Sequence, residues 1–294
     1  MHAPIPSRTV VDLAFRHTKP AKSLQGLPKQ VIINLHGFLG SKIMFNSANK
    51  ILSRSLNADI YSLDLRNHGD SPLAKPMNYE VMANDVIHFV NSYPPLREAI
   101  HEQERPLSLV GFSMGGKVAM LTALSEELGN KVRKLVSIDM PPYYTPILPI
   151  EVNHSLEIIR KIDSGEMWIG SGTDTWKSDV VNLLGLYFAA GFLRVKENEV
   201  YSPEKHIRYY LPVNEFAGIQ DVMKEWPVVY SSRVVPTEDV LFLRGLNSGL
   251  IQDDYSLISD VFPKATVKEF NTGHSVLLED FDNAMTTILD FLSD

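Results

Sequence analysis

The chain of 294 residues contains no cysteine. That excludes a disulfide framework, thiolate metal sites and a cysteine nucleophile. It also has no long basic run, and its formal net charge is −7. A nucleic-acid partner needs clustered Lys and Arg against phosphates, so none is expected. No apolar run is long enough to cross a bilayer, so no transmembrane segment is expected. The stretch Met1-His2-Ala3-Pro4-Ile5-Pro6 lacks the apolar centre of a secretory signal and the Arg-rich pattern of a transit peptide. An intracellular setting fits these absences. There is no internal repeat and no low-complexity tract. A hydrophobic content of 44% is ordinary for a globular protein. The length suits one large α/β domain or two small ones.

Against this background one stretch stands out, Gly111-Phe112-Ser113-Met114-Gly115. It has the spacing G-x-S-x-G. Leu107-Ser108-Leu109-Val110 before it reads as a short buried strand, and Gly116 to Leu128 after it as a helix. A serine on such a strand-to-helix turn is strained, with its hydroxyl exposed, and the glycines permit close approach of strand and helix. The helix start behind it supplies backbone N–H groups and a positive dipole end. Ser113 is the candidate nucleophile.

Strand and helix patterns alternate through the first half. Val10 to Phe15 reads as an opening strand. Val31 to Leu35 is a continuous apolar run, as in a parallel strand covered on both faces. A helix from about Met44 to Leu56, a strand from Asp59 to Asp64 and a helix from Tyr79 to Asn91 follow. After the Ser113 strand and helix comes a strand from Arg133 to Ile138, ending at Asp139. The pattern predicts a mostly parallel sheet with helices on both faces. Ligands then bind at the carboxyl ends of the strands, where His36, Asp64, Ser113 and Asp139 fall.

The alternation stops at Pro141-Pro142. From there to about Pro236 the sequence reads as mostly helical, over Val152 to Ile162, Asp179 to Ala190 and Glu215 to Val229. Because strands resume at Asp239, the segment 141–236 is expected to be a helical cap inserted in a core of residues 1–140 and 237–294. A strand from Asp239 to Arg244, a helix from Asp254 to Val261, a strand from Ala265 to Phe270 and a terminal helix from Phe281 to Leu292 complete the reading.

A serine hydroxyl needs a base, and the base needs an orienting acid. His274 lies in the loop after the last strand, within reach of the sheet's carboxyl edge. The alternative for it is a surface loop histidine. The commonest position for the acid is the loop after the Asp239 strand, but Gly245-Leu246-Asn247-Ser248-Gly249 carries no carboxylate. Asp253 and Asp254 read as helix caps. Asp139 can also reach the histidine loop and is the candidate acid, against a structural role at the Pro141-Pro142 turn. Ser248 can add a hydrogen bond to the histidine or the acid, or serve only the turn. The oxyanion hole is expected from the backbone N–H groups of Phe38 and Met114. His36 reads as packing beneath that loop rather than as a second base.

Other groups carry weaker patterns. His36, His68 and Asp64 lack metal-ligand spacing, and no metal is expected. Lys117 reads as a solvated or salt-bridged lysine. Trp168, Trp176, Trp226 and the pair Tyr209-Tyr210 read as packing within the cap.

Taken together, His36-Gly37-Phe38-Leu39-Gly40-Ser41, Asp64-Leu65-Arg66-Asn67-His68-Gly69-Asp70-Ser71, Gly111 to Lys117 and Gly273-His274 resemble the ordered motifs of α/β-hydrolases. The Arg-Asn-His-Gly-x-Ser segment resembles a narrower subgroup. That subgroup includes YbfF-type esterases, the mitochondrial abhydrolase-domain-containing protein eleven and yeast ethanol acetyltransferases. The resemblance runs from about Val10 to Leu292 and is weakest in the cap. It implies an α/β-hydrolase fold, an acid at Asp139, an auxiliary serine at Ser248, no cofactor and a mitochondrial setting. Phe112 departs from the His that many members carry before the nucleophile, a change expected to reshape the floor of the acyl pocket.

The expected activity is a serine acyl hydrolase cleaving short-chain esters or thioesters. The alternatives are an alcohol O-acetyltransferase making ethyl acetate from acetyl-CoA and ethanol, and a catalytically silent receptor of the same fold. Acyl chain length, water against alcohol as acceptor, and oligomeric state stay open at this level.

Overall fold

A computed structural model describes residues 10–20, 28–128, 130–167, 176–189, 191–194, 207–216, 218–227 and 239–293. Seven strands form one sheet in the order β1-β3-β2-β4-β5-β8-β9. They are β1 Phe15–Thr18, β2 Gln30–Leu35, β3 Ala58–Leu63, β4 Leu107–Phe112, β5 Val132–Ile138, β8 Asp239–Gly245 and β9 Thr266–Phe270. Only β1 runs antiparallel, against β3; every other pair is parallel.

The apolar runs produce this sheet because both of its faces are covered. Along β2, Val31, Ile33 and Leu35 enter a core shared with helices α2 (Tyr79–Ser92) and α4 (Met114–Ala123). Ile32 points the other way, into a core shared with α1 (Asn46–Ser55) and α10 (Phe281–Ser293). The strand period of two thus feeds two cores. The helices follow their own period. In α10 the buried residues are Ala284, Met285, Ile288 and Leu292, a single stripe facing the sheet. α2 opens where the Asn78 side chain accepts from the Val81 N–H at 3.0 Å. All ten residues of α4 are buried, as expected of a helix enclosed on every side.

Several boundaries differ from the sequence reading. The opening strand starts at Phe15 because two earlier amides bond side chains. Val11 N–H donates to Asp85 Oδ1 at 2.9 Å, and Ala14 N–H to Ser71 Oγ at 2.9 Å. The helix after Ser113 ends at Ala123. The one expected from Met44 begins as a 3-10 turn, Lys42–Phe45, before α1. Pro94 and Pro95 do not break the chain after α2. They occupy the first positions of α3 (Pro94–Arg97), where a missing N–H costs nothing, and a π-helical turn follows over Glu98–Glu102. Two short helices, α8 (Ser256–Val261) and α9 (Val276–Glu279), flank β9.

Between β5 and β8 lie α5 (Ile150–Ser164), α6 (Trp176–Ala189) and α7 (Ile219–Lys224), with an antiparallel pair, β6 (Phe192–Arg194) and β7 (Ile207–Tyr209). The pair was not expected; three-residue strands show no readable period. α7 is shorter than the helix expected there. It follows Gly218, whose φ of 76° interrupts the helical path. Trp168 lies outside the described residues.

Candidate active site

Ser113 occupies the turn between β4 and α4 with φ 52° and ψ −121°. Such a backbone costs a non-glycine residue about 1–3 kcal/mol and needs support from its surroundings. That support is local: Ser113 N–H donates to Ile138 O at 3.0 Å, and Gly116 N–H donates to Ser113 O at 2.7 Å. The turn also depends on its flanking glycines. A Cβ at Gly111 would lie 2.2 Å from Gly115 O, and one at Gly115 would lie 2.2 Å from Leu35 O. No side chain fits at either crossing.

His274 reaches the serine from the loop after β9. Its Nε2 lies 2.8 Å from Ser113 Oγ, and its Nδ1 lies 2.8 Å from Asp139 Oδ2. A carboxylate only accepts, so Nδ1 carries the proton and Nε2 is left to accept from the serine hydroxyl. Asp139 ends β5, fully buried, with φ 49°. Its N–H donates to Leu243 O at 2.7 Å, and its Oδ1 accepts from Gly245 N–H at 2.9 Å. The carboxylate is therefore fixed by the neighbouring strand while its other oxygen orients the histidine. The two loops are also tied together, since Asn247 N–H donates to Thr272 O at 2.9 Å.

Ser248 is brought to the same cleft as His274 but not into this chain of hydrogen bonds. Its Oγ accepts from Leu250 N–H at 3.3 Å. Phe112 lies under the histidine, with ring centroids 4.9 Å apart, and is not part of the pocket beside Ser113. Phe112 thus packs against the imidazole.

The loop after β2 carries Phe38 and is held from two sides. Beneath it, His36 Nδ1 donates to Gly37 O at 2.8 Å and His36 Nε2 accepts from Leu65 N–H at 3.0 Å. His68 Nδ1 donates to Arg66 O at 2.9 Å, and His68 Nε2 accepts from Leu39 N–H at 3.2 Å. Burial lowers the pKa of both rings, and His68 falls to about 3. Both stay neutral, as their acceptor roles require.

Above the loop, three phenols donate to three successive carbonyls. Tyr187 reaches Phe38 O at 3.2 Å, Tyr209 reaches Leu39 O at 2.6 Å and Tyr210 reaches Gly40 O at 2.5 Å. Burial raises the pKa of all three phenols, so they remain donors. Sequence reasoning took Tyr209 and Tyr210 as packing. Nothing in their spacing shows that they bond this loop. Gly37 O also accepts from Gly40 N–H at 3.0 Å. With that carbonyl turned toward His36 and Gly40, a planar trans peptide sends the Phe38 N–H the opposite way. Phe38, Met114 and Ser113 line one pocket.

The Arg66 to Ser71 segment is scaffolding for this loop. Arg66 makes a buried two-point ion pair with Asp85, Nε to Oδ2 at 2.6 Å and Nη2 to Oδ1 at 2.8 Å. Asn67 bonds across the turn to Ala74, and Ser71 Oγ donates to Asp64 O at 2.5 Å. Asp64 accepts from the N–H groups of Lys42 and Asp70 at 2.6 and 2.9 Å and from the Lys42 ammonium. Burial opposes its charge, but these donors together hold its pKa below the usual carboxylate range. His36, His68 and Asp64 are thus each committed to backbone partners.

Two spaces adjoin the site, one lined by Ser113 and the other by His274. One is apolar, walled by Met140, Leu148, Val152, Met223 and Leu250, with about 20 Å³ left free. That is little more than one water needs. The other is an open cleft of mixed character, about 950 Å³, whose lining includes His274, Asn247, Ser248 and Lys224. Ile147, Leu148 and Pro149 line both and form the partition.

A model of the α/β hydrolase fold matches residues 30–281. The chain is an α/β hydrolase. Ethanol acetyltransferase 1 of Kluyveromyces lactis is 28% identical over 98% of this α/β hydrolase and 81% of its own length. A probable alcohol acetyltransferase of Wickerhamomyces anomalus is 27% identical over 98% of this chain and 87% of its own. Among solved structures, a marine microorganism esterase superposes with a TM-score of 0.70 at 24% identity, covering 96% of this chain and 99% of that one. That likeness concerns the fold. No described helix of this α/β hydrolase is long and apolar enough to cross a membrane.

Proposed function

We propose that this protein is a serine acyl hydrolase acting on short-chain carboxylic esters or thioesters. The observation that carries the reading is the unbroken hydrogen-bonded series Ser113–His274–Asp139, with both links at 2.8 Å. Ser113 Oγ attacks the acyl carbonyl while His274 Nε2 takes its proton. Negative charge develops on the carbonyl oxygen, facing the N–H groups of Phe38 and Met114. His274 returns the proton to the leaving alcohol or thiol, which departs through the open cleft beside it. Water, activated by the same imidazole, then releases the acyl group. Asp139 stays charged and keeps the imidazole in the productive tautomer. The free space on the two sides supports a small acyl group and a larger leaving group.

A second reading shares the acyl-enzyme and differs in what accepts the acyl group. The names of the relatives from Kluyveromyces lactis and Wickerhamomyces anomalus favour an alcohol acceptor. The apolar walls around Ser113 are also suited to keeping water scarce. On this reading acetyl-CoA and ethanol give ethyl acetate. Residues 141–236 act in either case as a cap inserted in a core of residues 1–140 and 237–294.

Two assays test these readings. Loss of p-nitrophenyl acetate turnover in Ser113→Ala supports the acyl-enzyme, and retained turnover overturns it. With acetyl-CoA and ethanol together, ethyl acetate supports the transferase reading. Acetate alone at high ethanol eliminates it.

A further inference from the structure

The chemistry proposed at Ser113 makes no use of the buried lysine that follows it on the same helix. Lys117 lies one turn past Ser113 on α4 and is fully buried. It is neither solvated nor seated on a carboxylate. Its ammonium donates to Lys224 O at 2.9 Å, to Glu225 O at 2.8 Å and to Thr145 Oγ1 at 3.4 Å, and lies 5.2 Å from the centre of the Tyr79 ring. Tyr79 takes the adjoining carbonyl, its hydroxyl donating to Met223 O at 2.8 Å. Thr145 N–H adds a bond to Lys224 O at 2.9 Å.

Met223 and Lys224 end α7, and Glu225 follows it in extended conformation. Helix carbonyls there have no partners within the helix, and a cation is favourable. Two side chains of the sheet domain, Tyr79 and Lys117, therefore hold three consecutive carbonyls of the segment opposite. The consequence falls on the apolar pocket, because Tyr79, Thr145 and Met223 all line it beside Ser113.

We propose that Lys117 and Tyr79 fix the backbone at Met223 so that its side chain forms the end wall of the acyl pocket and restricts the enzyme to short acyl chains. This rests on Ser113 being the acyl-accepting nucleophile. With only about 20 Å³ free, a longer acyl chain has to displace a wall. Methionine is the wall most able to yield as a side chain, being unbranched and flexible. Met114 and Met140 also line the pocket but directly follow Ser113 and Asp139 in the chain, whereas Met223 comes from the segment opposite. Its backbone is pinned at three successive carbonyls, so the wall bends without leaving. Lys117 does not line the pocket itself; it acts through those carbonyls and through Thr145 and Tyr79, and is a positioning residue.

The test compares wild type, Met223→Ala and Lys117→Met with p-nitrophenyl acetate, butyrate and octanoate. The readout is kcat/KM for each ester as a ratio to acetate. Met223→Ala is expected to raise the octanoate-to-acetate ratio by roughly tenfold or more, the scale of discrimination that a few methylenes give in an apolar pocket. Lys117→Met is expected to shift it in the same direction by less. An unchanged ratio in folded Lys117→Met overturns the positioning role; should that variant not fold, Tyr79→Phe, which loses the hydroxyl bonded to Met223 O, is read in its place. Acetate turnover that depends on Ser113, with an unchanged ratio in folded Met223→Ala, overturns the wall and leaves the hydrolase reading standing. Absence of such turnover in wild type overturns both.

Discussion

His68 Nε2 accepts the Leu39 N–H at 3.2 Å, which ties the Arg66–Ser71 segment to the loop that carries Phe38. The bond needs a neutral ring, and burial pushes the His68 pKa down to about 3. His68→Phe removes the acceptor while keeping an aromatic ring in place. Its kcat for p-nitrophenyl acetate is expected to fall roughly 10- to 100-fold, on the scale of a displaced oxyanion donor, with KM little changed. Stability shows the same ring. The native pKa lies below the unfolded value, so the unfolded chain takes up the proton first as pH falls from about 6.5 toward 3. Wild type should therefore lose stability relative to His68→Phe across that window. Urea denaturation of both proteins along an acid series reads the difference.

Asp139 stands one strand earlier than the usual acid position, where the loop Gly245 to Gly249 has no carboxylate. Asp139→Asn keeps an oxygen for the Gly245 N–H but leaves the imidazole in the wrong tautomer. A drop in kcat of about 10⁴-fold is expected, by analogy with other triads. Thermal unfolding, measured alongside, should show the fold retained. Activity within tenfold of wild type would remove Asp139 from the mechanism.

Tyr209 and Tyr210 hold two carbonyls of the Phe38 loop. Tyr209→Phe and Tyr210→Phe each delete one hydroxyl and leave a buried carbonyl without that donor, at a cost of about 1–3 kcal/mol. The expected kinetic signature is a lower kcat with nearly constant KM, because the donors for the transition-state oxyanion shift. Steady-state kinetics on the two single variants check this. An increase in KM alone would assign the tyrosines to substrate contact.

Lys117 makes stability depend on pH in the alkaline direction. Burial pushes its pKa down to about 7, with the Glu225 charge opposing the shift. The unfolded lysine stays protonated to about pH 10.5, so between about 7 and 10.5 the unfolded state binds more protons. Stability contributed through this group therefore rises with pH in that window and is lowest below it. Relative to Lys117→Met, wild type should gain about 2 kcal/mol between about pH 7.5 and pH 9. Guanidinium titrations of both proteins at those two values measure it.

The sequence makes the sheet and the candidate reacting groups legible for physical reasons. The runs Val31–Leu35 and Leu107–Val110 are short, apolar and bounded by turn residues, as strands buried on both faces are, and Gly111 and Gly115 mark a crossing too tight for a Cβ. Asp139 and His274 fall at strand ends by order alone, although only the structure brings them within hydrogen-bond distance. The sequence reads Lys117 as solvated or salt-bridged because a lysine on a helix normally is, whereas it is buried on backbone carbonyls. Its true partners, the carbonyls of Lys224 and Glu225, are more than a hundred residues away and carry no sequence signal. The tyrosine contacts to residues 38–40 were hidden in the same way. The pair β6 and β7 is too short to show a period.

The most direct measurement is the identity of the residue that carries the acyl group. Rapid quenching of wild type after mixing with p-nitrophenyl acetate, followed by peptide mass spectrometry, should place one acetyl group on the peptide bearing Ser113. Ser113→Ala should show neither the adduct nor turnover. An acetyl group found only on another residue, or hydrolysis by Ser113→Ala at the wild-type rate, would contradict the account.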